Sequence, residues 1–118
     1  MKTRLPKVST MTKLMRIDCE TASEIYLQDG SQLIDIRDQE SYLAGHIADA
    51  IHIDNSSLSQ FIASAETSQP LLIYCYHGNS SQQAGEYFIN QGFEQVYSVD
   101  GGFEQWQHSP PITKKPEA

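Results

Sequence analysis

Cys75 closes an apolar run, Leu71-Leu72-Ile73-Tyr74, and opens a polar loop, Tyr76-His77-Gly78-Asn79-Ser80-Ser81. The run reads as a short strand buried on both faces, with the cysteine at its carboxyl end. Gly78 and Asn79 tolerate left-handed backbone angles, so the chain curls there at little cost. Ser80 and Ser81 are good helix N-caps, and Ala84, Tyr87 and Phe88 follow at the spacing of one helical face. A thiol over such a loop is surrounded by backbone N–H groups and faces the positive end of a helix. Both favour thiolate over thiol. The pattern specifies a cysteine nucleophile that needs no neighbouring base.

The residues around Cys75 divide into chemistry and support. With the thiol already ionised, His77 has no proton to abstract. It either faces solvent at the pocket mouth or offers a cation to an incoming anion. Tyr76 reads as loop wall, and the turn at Gly78 and Asn79 doubles as an anion cradle. Asp35 and Arg37 lie two apart on an expected strand, so their side chains leave the same face. They read as a hydrogen-bonded pair that fixes loops near the pocket, with direct contact from Arg37 to a substrate as the alternative. His46, in Gly45-His46-Ile47, reads as a satisfied structural histidine, and Cys19 as core packing.

Charge narrows the partners. Fifteen acids against eight Lys and Arg give a net charge of −7, which argues against nucleic acid and anionic membranes. No Lys or Arg lies between Asp38 and Thr113, where nine acids do. An anion at the Cys75 loop therefore relies mainly on backbone N–H groups, or on Arg37 if the fold brings it near. Two cysteines form neither a CxxC nor a zinc spacing, which points to free thiols in a reducing compartment, the cytoplasm. No apolar run is long enough to span a membrane, and residues 1–10 lack the apolar stretch of a secretory signal.

The elements that must position these residues follow in order. Met15-Arg16-Ile17-Asp18 suits a first strand, and Thr21-Ala22-Ser23-Glu24 a capping box for a helix stopped at Asp29-Gly30. Gln32 to Ile36 reads as a second strand. Asp38 caps a short helix closed by Gly45, and Ala50 to Ile53 returns as a third strand. Ser56 opens a helix with Leu58, Phe61, Ile62 and Ala65 on one face. Val96 to Val99 makes the last strand, and Asp100-Gly101-Gly102 turns into a short helix carrying Phe103 and Trp106. Pro110 and Pro111 end it. Alternating strands and helices give an α/β fold, a largely parallel five-stranded sheet with helices on both faces. Ligands of such sheets bind beyond the carboxyl ends of the strands, where Cys75 stands. The domain is expected over residues 15–109, between a flexible extension at 1–14 and a mobile tail at 110–118.

Asp35-Ile36-Arg37, Gly45-His46-Ile47 with Ala50, the Cys75–Ser80 loop, and Asp100-Gly101-Gly102-Phe103 with Trp106 stand in the order and at the spacings of the rhodanese domain. Over nearly the whole chain the sequence resembles that family, and the loop most resembles its single-domain thiosulfate sulfurtransferases of the GlpE type. The resemblance implies a single rhodanese-like domain and transfer of sulfur from thiosulfate to cyanide or a thiol through a Cys75 persulfide. It implies a binding loop of Tyr76, His77, Gly78, Asn79 and Ser80, with the Ser80 hydroxyl either capping the helix or bonding the sulfur species. No metal or organic cofactor is implied; a thioredoxin-like dithiol protein is an implied acceptor. A persulfide carrier in a protein relay and a non-catalytic interaction module are the alternatives. The related phosphatases of this fold close a longer loop with an arginine, and here Ser80 and Ser81 stand instead, which argues against phosphoryl transfer. Gln82 and Gln83 follow where the group commonly has a basic residue, so weak thiosulfate binding is expected.

Overall fold

The computed structural model describes residues 13–108. Its strands are β1 (Met15–Ile17), β2 (Gln32–Asp35), β3 (Ile51–His52), β4 (Leu71–Tyr74) and β5 (Val96–Val99). Between and after them come α1 (Cys19–Tyr26), α2 (Gln39–Ala44), α3 (Leu58–Ser64), α4 (Ser80–Asn90) and α5 (Gly102–Trp106). The strands form one sheet in the order β1-β5-β4-β2-β3, and every neighbouring pair is parallel. The α/β architecture expected from the alternation is therefore present.

The apolar run that ends in Cys75 becomes the central strand because both of its faces are covered. Leu72 and Tyr74 pack with Ala22 and Tyr26 of α1 and with Trp106 of α5. Leu71 and Ile73 point the other way, into Phe61 of α3 and Phe88 and Ile89 of α4. All four β4 residues have no exposed surface, and a fully buried Leu or Ile contributes roughly 1.5–3 kcal/mol. Leu14 packs partly against the second cluster, so ordered packing starts just before β1. Residues 1–12 of the expected extension, and the tail with Pro110 and Pro111, lie outside the described residues.

Several boundaries differ from the sequence expectations. Helix α1 begins before the capping box at Thr21, because Asp18, just after β1, is extended and its carboxylate accepts from the Thr21 N–H at 2.8 Å. Strand β2 stops at Asp35, so Arg37 sits beyond it, and β3 is shorter than Ala50 to Ile53. Helix α3 starts at Leu58 rather than Ser56, since the Asp54 carboxylate gathers the N–H groups of Ser56 and Ser57 into a turn first. Asp38 caps α2 as expected, accepting from the Ser41 N–H at 3.1 Å. The buried stripe of α4 is Ser81, Gly85, Phe88 and Ile89, and Tyr87 is exposed. A serine and a glycine hide that stripe from a reading that counts only apolar side chains.

Candidate active site

The site begins where β4 ends. Cys75 is buried, at 6% exposure, and its sulfur lies under the turn that leads into α4. The backbone N–H of Gly78 donates to Sγ at 3.2 Å and that of Ser81 at 3.3 Å. The Ser81 hydroxyl lies 3.5 Å from the same sulfur. Gly78 makes this convergence possible: its φ is +101°, and a Cβ there would approach the Asp100–Gly101 backbone to within 3.0 Å.

These contacts set the charge state. Burial pushes the Cys75 thiol up, but the Ser81 hydroxyl and the N–H groups of Ser81, Gly78 and His77 outweigh it. The pKa is held below the ordinary thiol value. The sequence reading predicted the N–H cradle and missed Ser81 as a side-chain partner of the sulfur. Helix α4 is capped in position by Asn79, without a side-chain bond, so Ser80 is the first helical residue and is exposed. Neither Ser80 nor Ser81 is the N-cap; Ser81 turns inward instead. Periodicity had a clue, since Ser81, Gly85 and Phe88 share a face.

Cys75 opens onto a cleft of about 310 Å³ lined by Ile36, Arg37, Asp38, Tyr76, His77, Asn79 and Ser80. Every loop residue expected from the sequence therefore borders the sulfur or its cleft. Tyr76 donates its hydroxyl to Asp38 at 2.9 Å and also meets the Ser41 hydroxyl. The Ser41 and Tyr76 hydroxyls hold the Asp38 carboxyl down at about 2. His77 is exposed, its Nδ1 2.6 Å from Glu104, so it stands at the mouth and engaged rather than free.

Arg37 reaches the cleft from the end of β2. Its Nε and Nη2 form a fork on the Asp35 carboxylate at 3.1 and 2.7 Å, and Nη2 also donates to the Gly45 carbonyl at 2.6 Å. The guanidinium lies 3.9 Å from the centre of the Phe103 ring. Burial pulls the Arg37 pKa down, and the Asp35 carboxylate more than restores it. The pair forms across a strand end rather than along a strand. The loop it braces is pinned again by Tyr74, whose hydroxyl accepts from the Ile47 N–H at 3.1 Å. His46 is exposed, stacked on Tyr42 at 3.8 Å between centroids, with Nδ1 2.7 Å from the Tyr42 carbonyl oxygen. Cys19 is buried in the first core cluster with Val99 and Trp106.

A parallel five-stranded sheet with a thiol cradled at the carboxyl end of its central strand defines an α/β domain organised around that thiol. Residues 19–109 match the rhodanese-like domain family, and the chain belongs to that family. Among its relatives, thiosulfate sulfurtransferase GlpE of Pseudomonas putida strain GB-1 is 50% identical over 101 residues, 86% of this chain and 92% of that protein. The enzyme of the same name from Pseudomonas paraeruginosa strain PA7 is 54% identical over 92 residues, 78% of this chain and 83% of its own. The fold also matches a rhodanese-related protein of Thermoplasma volcanium, with TM-score 0.67, 26% identity and coverage of 81% and 95% of the two chains. A rhodanese-like domain protein of Staphylococcus aureus gives 0.70, 23%, and 83% and 97%.

Proposed function

We propose that this chain is a thiosulfate sulfurtransferase that carries sulfur on Cys75. The observation that carries the reading is the convergence of the Gly78 and Ser81 N–H groups on one buried sulfur, at 3.2 and 3.3 Å. Relatives about half identical that bear the name thiosulfate sulfurtransferase support the substrate class.

The Cys75 thiolate attacks the outer sulfur of thiosulfate. A new S–S bond forms as the old one breaks, and sulfite leaves with the bonding pair. The outer sulfur stays as a persulfide, whose charge faces the N–H groups of the loop formed by Tyr76, His77, Gly78, Asn79 and Ser80. Cyanide then takes the terminal sulfur as thiocyanate, or a thiol takes it as a new persulfide, and the thiolate is restored. A thioredoxin-like dithiol protein suits the second step, because its second thiol displaces hydrosulfide and closes a disulfide. Asp35, Arg37 and His46 support the segments around the cleft.

Residues 15–109 form the catalytic domain in this reading. Among the described residues no helix is long and apolar enough to cross a membrane, and Cys19 and Cys75 are not joined in a disulfide. Reduced thiols suit a reducing compartment, and the cytoplasm is the compartment we assign.

Thiosulfate is held weakly. Arg37, the cation bordering the sulfur cleft, has a side chain only 3% exposed and spends its charge on Asp35. Gln82 donates its amide to the Gly78 carbonyl at 2.9 Å, where a basic residue would offer charge to the anion. Turnover with a high KM follows.

Intact mass after mixing reduced protein with thiosulfate tests the mechanism. A gain of one sulfur atom, absent from Cys75→Ser and removed by cyanide or a dithiol, is expected. No gain on the native chain would overturn the reading. Slow loading from thiosulfate beside fast loading from a partner's persulfide would convert it to a relay carrier.

A further inference from the structure

One buried polar group lies one bond further from the sulfur. Ser98 is in the middle of β5, with no exposed surface, between Tyr97 and Val99. Its Oγ lies 2.7 Å from that of Ser81, which is equally buried. The sulfur, the Ser81 oxygen and the Ser98 oxygen thus form a chain with links of 3.5 and 2.7 Å. Ser98 stands opposite Ile73 in the sheet and on the same strand face as Val96, so a valine would suit these apolar neighbours and the hydroxyl needs a reason beyond packing.

We propose that Ser98 is a positioning residue for the sulfur-transfer step: its hydroxyl donates to Ser81 Oγ and so turns the Ser81 proton onto the Cys75 sulfur when that sulfur is charged. This deepens the sulfurtransferase reading and rests on it. A serine hydroxyl has one proton and rotates freely, so a second partner decides where the proton points. When Cys75 is a thiol, S–H donates to Ser81 and Ser81 donates to Ser98. When it is a thiolate, both hydroxyls rotate and the chain of donors reverses. No proton is transferred between residues; two rotors follow the charge. Because both serines are fully buried, water does not compete for the Ser81 proton. The charged and titratable groups bordering the sulfur from the cleft side are Arg37, Asp38, Tyr76 and His77, and the serine chain approaches from the opposite, interior side.

The test is the pH dependence of Cys75 alkylation by iodoacetamide, read on the Cys75 peptide by mass, which requires no sulfur-transfer activity. Removing one hydrogen bond to a charged sulfur in Ser81→Ala should raise the midpoint by roughly one pH unit. Ser98→Ala should raise it by about half that, since Ser81 remains but is no longer oriented. In a Ser81→Ala background, Ser98→Ala should add nothing, because its effect runs through Ser81. Ser98→Thr and Ser98→Val are alike in shape and differ in the hydroxyl, so the threonine should titrate as native and the valine as the alanine. Superposed curves for native and Ser98→Ala, equal midpoints for the threonine and valine variants, or additive shifts in the double variant would each overturn the proposal. Persulfide loading of the native chain would stand in all three cases, so the sulfurtransferase reading fails separately.

Discussion

The backbone N–H of Phe103 donates to the carbonyl of Cys75 at 2.8 Å, and that of Glu104 to the carbonyl of Tyr76 at 3.1 Å. The first turn of α5 therefore engages the back of the loop whose front holds the sulfur. With those carbonyls committed, the loop presents N–H groups and not oxygens to Cys75. Gly102 allows the approach: its φ is +57°, and a Cβ would stand 2.5 Å from the Cys75 and Tyr76 carbonyl atoms.

Gly102→Ala tests that support. The methyl group meets backbone, which cannot swing aside, so the loop must move as a unit. Persulfide loading should fall by more than about tenfold and stability by roughly 1–3 kcal/mol, because strain and displacement are both involved. Loading kinetics with a thermal melt check it; an alanine variant with native loading would show that α5 does not shape the cradle.

Asp35→Asn should be among the most damaging changes away from the sulfur. It leaves the Arg37 guanidinium buried with its charge uncompensated, at a cost of about 3–5 kcal/mol by denaturant unfolding. The exposed Arg16–Asp100 pair offers the control, as Arg16→Ala should cost under about 1 kcal/mol. Similar losses at the two sites would mean that burial of the Asp35–Arg37 pair is not what matters.

The pH dependence of loading follows from the Cys75 environment. Its folded pKa lies below that of the unfolded chain, so ionisation favours folding. This contribution is fully present above the unfolded pKa and is lost as pH falls through the folded value. Loading by thiosulfate should have its acid limb below that of an ordinary thiol. Stopped-flow rates across pH check this, and a limb at or above the free-thiol value would contradict it.

Charge placed beside the loop should tighten thiosulfate binding. Gln82→Lys puts an ammonium where the amide now reaches the Gly78 carbonyl. KM should drop by roughly three- to tenfold at low ionic strength, with the gain fading as salt screens it. Initial rates at two salt concentrations decide it, and an unchanged KM would mean that local charge does not limit binding.

Tyr76→Phe removes one of the hydroxyls that hold the Asp38 carboxyl at about 2. An NMR titration should place Asp38 higher in the variant. With a depressed folded pKa, the native contribution to stability is present above the ordinary Asp range and lost as pH falls through about 2. In the variant that loss should begin at a higher pH.

Much of this protein was already determined by its sequence. The apolar run Leu71–Tyr74 admits no exposed face, so it had to be a central strand, and a cysteine at its end had to meet the following turn. Gly78, and the Gly101-Gly102 pair, supplied positive φ where the chain turns back. Asp38 announced a helix start because capping is local, a matter of a few bonds along one stretch of chain. Asp35 and Arg37 were recognisable as a pair for the same reason.

What only the tertiary structure decided concerns groups far apart in the chain or indifferent to local rules. Ser81 looks like a cap until the helix rotates it under Cys75, and the rotation is set by how Phe88 and Ile89 pack on the sheet. Ser98 looks like a weak strand residue until β5 lies beside β4 and places it 2.7 Å from Ser81. Arg37 had a carboxylate partner in the sequence, but its reach to Gly45 and its seat on Phe103 come from segments joined only by folding. Local preference fixes where a chain bends and which side chains seek burial. Which buried polar atoms meet is settled by packing, because one hydroxyl finds another only where two elements are held face to face.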